Sequence, residues 1–90
     1  MQFSVVERIR DGDTKPIFRR LRDHGRLLPD GVAYVASWVA ADLTCCYQIM
    51  ESDGEARLRA WTAQWDDLVD FEVVPVITSA DAREAIAPRL

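Results

Sequence analysis

The sequence predicts an α+β fold: a four-stranded antiparallel sheet with two helices on one face and a short C-terminal helix. Three observations carry this. The 90 residues run in the order strand, helix, strand, strand, helix, strand, with turn residues at each boundary. Two amphipathic helical stretches fall between the strand pairs. The strands carry apolar residues on both faces, whereas a half-buried strand alternates apolar and polar. Val32–Val39 reads VAYVASWV, and residues 71–77 read FEVVPVI with Glu72 as the single charge. Two helices cover one face of such a sheet, so a partner chain or an apolar ligand is expected on the other.

The first strand is Gln2 to Ile9, with Phe3, Val5, Glu7 and Ile9 on one face and Ser4, Val6 and Arg8 on the other. Asp11-Gly12-Asp13 turns the chain. Asp13 is placed to cap a helix whose first turn holds Pro16, where a missing N–H costs little. That helix runs from about Thr14 to His24; Ile17, Leu21 and His24 form its stripe, Phe18 lies beside it, and Gly25 stops it. The second strand follows Gly31 and spans Val32 to Ala40. Ala41-Asp42 reads as a tight hairpin turn into a third strand, Leu43 to Glu51. Ser52 or Asp53 caps the second helix, whose stripe of Leu58, Trp61, Trp65 and Leu68 predicts an end near Leu68. The fourth strand spans Asp70 to Ile77. Thr78 or Ser79 starts the last helix, and Pro88 ends it. This order is that of a ferredoxin-like pair of split βαβ units. Right-handed crossovers place strands one and three in the centre of the sheet. The chain reads as one domain, residues 1–90, without repeat or linker.

Charge narrows the function classes. The chain has a net charge of -4 and a pI near 4.8. Residues 1–30 hold seven basic and five acidic side chains, and residues 31–90 hold four basic and ten acidic. An acidic chain is a poor binder of phosphate backbones, so no nucleic-acid partner is expected. No apolar stretch approaches the roughly 20 residues that span a bilayer. The start, with Glu7 and Arg8 close behind a short apolar strand, lacks the pattern of a secretory signal. A cytoplasmic location without membrane association is therefore expected. Cys45 and Cys46 agree: neighbours in a strand point to opposite faces, cannot pair without strain, and read as reduced fillers.

Chemistry-bearing patterns are sparse. There is neither a G-x-G-x-x-G nor a G-K-[ST] run, no G-x-S-x-G elbow, and no nucleophile flanked by histidine. Asp11-Gly12-Asp13 opens like a calcium loop, but Lys15 and Arg22 occupy later ligand positions. No metal site and no cofactor are expected, and catalytic residues are not identifiable. The helix-one arginines read as a solvated face, salt-bridged to the acidic second half. Glu7, Arg8, Gln48, Glu51 and Glu72 interrupt apolar strands, and a shielded polar group needs a partner. Arg8 and Glu72 are placed to pair across strands one and four, either at the rim or inside a pocket between subunits. Trp38 either packs under a helix or lines the uncovered face. Gln48 is shielded in mid-strand and meets either a protein group or a ligand. The candidate ligand-binding set is Arg8, Tyr34, Trp38, Gln48, Glu72 and His24, the only histidine. Val6, Met50, Val74 and Val76 are assigned to the open face, which predicts a two-fold homodimer, sheet against sheet.

The segments FSVVERIRDGD, LLPDGVAYVASWV, CYQIMES and FEVVPVITS resemble a family of small bacterial proteins known only as a domain of unknown function, along nearly the whole chain. That resemblance implies the dimeric α/β-barrel arrangement, in which two ferredoxin-like sheets pack face to face. The group includes cofactor-free monooxygenases, isomerases, stress proteins and binding modules, and fold alone does not choose among them. Two readings follow. In the first, the protein binds a small apolar or aromatic ligand in a pocket at the sheet face. In the second, it is a non-catalytic interaction or stress-related module with a dry dimer core.

Overall fold

The computed structural model describes all 90 residues. The chain forms β1 (Gln2–Ile9), α1 (Lys15–His24), β2 (Val32–Val39), β3 (Cys45–Ser52), α2 (Glu55–Thr62), β4 (Val69–Val76) and α3 (Ser79–Ile86), with single 3-10 turns at Arg10–Gly12 and Ala87–Arg89. The strands are ordered β2-β3-β1-β4 and every neighbouring pair is antiparallel. This is the expected ferredoxin-like βαββαβ topology, with β1 and β3 central.

Period-two alternation decides the faces. Phe3 and Val5 of β1 face the helices and are fully buried, together with Met50 of β3, Val69 of β4, and Leu58, Trp61 and Trp65 from and just beyond α2. Ile17 and Leu21 of α1 pack against this cluster, so both helices lie on one face of the sheet. Met50 corrects the expectation that it lies on the open face: it pairs with Phe3 and has no exposed surface. Each alternating set of β3 mixes apolar and polar residues, so pairing with β1, rather than composition, decides which set turns inward. A bulge in β2 sets a second choice. Tyr34 pairs with Met50 and Ala36 with Ile49, leaving Val35 as the extra residue. Beyond the bulge, Ser37 and Val39 face inward and Trp38 faces out.

Several local signals act where expected. The Gly25 N–H closes α1 on the Leu21 carbonyl at 2.9 Å, with Gly25 at φ 67°. Asp13 Oδ1 accepts from the Lys15 N–H. Thr78 Oγ1 accepts from the Asp81 N–H at 3.0 Å and starts α3. Three details differ. The second helix has Gly54 at its N-cap, with Ser52 Oγ accepting from the Gly54 N–H instead of capping the helix proper. It ends at Thr62, and the chain continues to Leu68 through turns in which Gln64, Trp65 and Leu68 donate to carbonyls three residues back. Arg20 of α1 holds this segment, donating to the Gln64 carbonyl at 2.8 Å and to the Asp67 carboxylate. The hairpin is also wider than a two-residue turn. Residues 40–44 connect β2 to β3, and Asp42 Oδ1 accepts from the Thr44 N–H and hydroxyl.

Every residue from Ile77 to Leu90 is exposed, α3 included. The radius of gyration is 14.9 Å, whereas a compact chain of this length has about 12 Å. The C-terminal segment therefore adds surface without adding core.

Candidate functional site: a cavity between the helices and the sheet

A cavity of about 140 Å³ opens between the inner face of the sheet and α1. Its floor is Glu7 and Ile9 of β1, Ser37 and Val39 of β2, and Cys46 and Gln48 of β3. Ile17, Phe18 and Leu21 of α1 form one wall, and Trp61 and Trp65 another. Arg26, in the connection between α1 and β2, reaches in from the end. Alternation explains the floor: Glu7 shares its face with Phe3, Val5 and Ile9, and Gln48 shares its face with Met50.

The polar groups form one chain of hydrogen bonds. Arg26 Nη1 donates to Gln48 Oε1 at 3.2 Å, and Gln48 Nε2 donates to Glu7 Oε1. The chemistry fixes the direction of the amide, because a guanidinium only donates and a carboxylate only accepts. The Arg26 guanidinium also stacks on Tyr34, 3.6 Å from the ring centroid, and the Tyr34 hydroxyl bonds Ser37 Oγ at 2.8 Å. Arg26 is held through its backbone as well. Trp61 Nε1 and Trp65 Nε1 both donate to its carbonyl, and its neighbours Gly25 and Leu27 have φ of 67° and 58°. A leucine in the left-handed region is strained, and such strain persists only where surrounding structure imposes it.

Burial dominates the electrostatics of Glu7. It pushes the carboxyl up to about 7, while the Arg26 charge and the Gln48 amide pull the other way. Glu7 therefore exchanges its proton near neutral pH. Burial, with the Glu7 charge adding to it, raises the Cys46 thiol to about 11. Cys46 is a protonated filler at neutral pH and not a nucleophile. No group of three or more His, Cys, Asp or Glu side chains converges on a metal position.

The structure divides the six candidate residues. Gln48, only 4% exposed, lines the cavity, and its partners are protein groups on both sides. Tyr34 joins it through Arg26 and Ser37. Arg8 and Glu72 lie on the open face and pair at 3.0 Å, with both side chains more than half exposed. Trp38 also lies on that face, 63% exposed, opposite Tyr47. His24 is exposed at the end of α1 and does not line the cavity. Sequence reasoning left Glu7 and Arg26 out of the set. Glu7 had a readable signal, a carboxyl on the Phe3, Val5 and Ile9 face. Arg26 had none, because a connecting residue belongs to no periodic pattern. The expected salt-bridged arginine face of α1 is present only in part: Arg20 forms a bidentate pair with Asp67 at 2.7 and 2.8 Å, whereas Arg22 pairs with its own neighbour Asp23.

Fold and site together define a ferredoxin-like α+β domain with a mainly apolar cavity that holds one carboxyl and one guanidinium. The chain belongs to the family described as a domain of unknown function (DUF3303), whose profile matches residues 1–90. No curated protein matches it. No helix is long and apolar enough to cross a membrane.

Proposed function

We propose that this domain binds a small apolar or aromatic ligand in the cavity beneath its helices and forms a homodimer through the open sheet face. The observation that carries the ligand reading is the Glu7 carboxyl at the floor of a cavity in which eight of twelve lining residues are apolar. A carboxyl on a helix-covered face costs stability unless it is used, because a hydrophobic residue there would bury at no desolvation cost.

Different residues support the dimer. Trp38, Tyr47 and Val74 on the open face are 63%, 49% and 45% exposed. Apolar groups of this size in one patch point to a protein partner, and the unpartnered α3 offers further surface. The Arg8–Glu72 pair satisfies two of the charges on that face within one chain. That favours a dry contact there, with the ligand on the opposite face. The dry contact is the part of the interaction-module reading that this proposal retains. Two free cysteines accord with a cytoplasmic setting.

A thermal-shift screen of single-ring aromatic compounds, run with native mass spectrometry, tests both parts. Stabilisation that grows with ligand concentration, seen on a dimeric mass, is the expected result. A screen without any shift, on a protein whose cavity residues show no chemical-shift changes, would remove the ligand reading and leave the interaction module.

A further inference from the structure

The two oxygens of Glu7 are not equivalent. Oε1 accepts from Gln48, whose own carbonyl is taken by Arg26. Oε2 has no hydrogen bond within the protein, yet no fully buried side-chain polar atom lacks a partner. Oε2 is therefore accessible from the cavity and not sealed in the core.

We propose that Glu7 Oε2 is the recognition point of the cavity, and that the ligand is a neutral single-ring compound carrying one hydrogen-bond donor, of the phenol or azole type. The proposal rests on the ligand reading above and narrows it. Size sets the ring count: a cavity of about 140 Å³ is close to the roughly 150 Å³ that holds benzene in a protein interior. The walls set ring character, because Phe18, Trp61 and Trp65 present aromatic surface, which packs well on another ring. Charge sets neutrality. The Arg26 guanidinium is already engaged by Gln48 and the Tyr34 ring, so the group left free is the Glu7 carboxyl, which repels an anion, while the neighbouring guanidinium offsets its attraction for a cation. The free oxygen sets the donor, since an ionised carboxylate only accepts.

Linkage follows from the titration of Glu7 near neutral pH. An O–H or N–H donor bonds the ionised carboxylate more strongly than the neutral acid. A donor ligand therefore binds tighter as the pH rises through about 7, and by reciprocity lowers the Glu7 titration point. An apolar ring of the same size does the opposite, because it deprives the ionised carboxylate of water.

The test uses phenol and toluene, matched in size, with benzoate as the anionic control, titrated by NMR on either side of the Glu7 titration. Phenol stays neutral throughout, as a tyrosine side chain does. On the alkaline side, phenol is expected to bind about tenfold tighter than toluene, a difference of about 1.4 kcal/mol, and benzoate more weakly than either. Raising the pH tightens phenol and weakens toluene. In the wild-type protein, the carboxyl carbon signal of Glu7 titrates at lower pH with phenol bound, a readout that needs no variant. Glu7→Gln flattens both pH trends. Equal affinities for phenol and toluene, with no pH trend, would overturn donor recognition and leave the cavity reading standing. Failure of both to bind at millimolar concentration would remove the cavity reading and this proposal together.

Discussion

Trp61 and Trp65 donate their indole N–H groups to the same acceptor, the carbonyl oxygen of Arg26, at 2.9 and 3.1 Å. One carbonyl has two lone pairs and accommodates both. The two side chains stand one helical turn apart, so one connecting residue ties the end of α2 to the segment that follows α1. The Arg26 side chain then reaches Gln48, and the cavity inherits its geometry from this anchor.

The shared acceptor makes the two tryptophans non-additive. Trp65→Phe or Trp61→Phe removes one donor and leaves the carbonyl satisfied by the other, a hydrogen-bond loss of about 1 kcal/mol beyond any change in packing. The double variant leaves the carbonyl with neither indole and is expected to lose more than the sum, by about 1 kcal/mol of coupling. Urea unfolding of the four proteins measures it. Strict additivity would show that the bonds do not act through one acceptor.

Gln48→Leu keeps side-chain size and strips the hydrogen bonds from Glu7 Oε1 and Arg26 Nη1. Orphaned polar groups cost roughly 1–3 kcal/mol, and the expected loss of stability falls in that range. The Glu7 carboxyl also loses a bond that favours its ionised form, so its titration moves further up. A variant with unchanged unfolding midpoint and unchanged Glu7 titration would show that the amide is not the link between the two charges.

Glu7 sets a pH dependence of stability with a definite sign. Its carboxyl titrates near 7 in the folded chain against an ordinary value of 4.5. Between these values the folded chain holds a proton that the unfolded chain has released, so stability declines as pH rises through that window and levels off above it. The decline from this group is on the order of 3 kcal/mol. Glu7→Gln, neutral at every pH, is expected to abolish it. The carboxylates held below their ordinary values, among them Asp67 beside Arg20, act below pH 3.8, outside this window. A wild-type protein equally stable at the two ends of the window would refute the assignment.

Association through the open face is expected to depend on Val74. Light scattering on the wild-type protein should give twice the 10.2 kDa chain mass, and Val74→Glu, which puts an unpaired charge into the contact, should give the single-chain mass. Dimerisation unaffected by the substitution would move the interface elsewhere, with α3 the next surface to examine. A wild-type mass of one chain at micromolar concentration would remove the dimer.

Local chemistry was enough to order the elements. Alternation in β1 put Phe3, Val5, Glu7 and Ile9 on one face, Gly25 ended α1, Thr78 began α3, and short connections with right-handed crossovers left one strand order. All of these depend on neighbours within a few residues. The site was legible only in part. Gln48 was recognisable as shielded and in need of a partner, and Glu7 as a carboxyl on an apolar face, but their connection through Arg26 was not. It depends on where a connecting segment falls once Gly25 and Leu27 have turned it and two indoles have caught its carbonyl. The inward turn of Met50, the outward turn of Trp38 past the bulge at Val35, and the early end of α2 were likewise decided by tertiary structure. In each case the local pattern fits two arrangements almost equally well, and strand register or the packing of one helix against another supplies the energy difference that selects one.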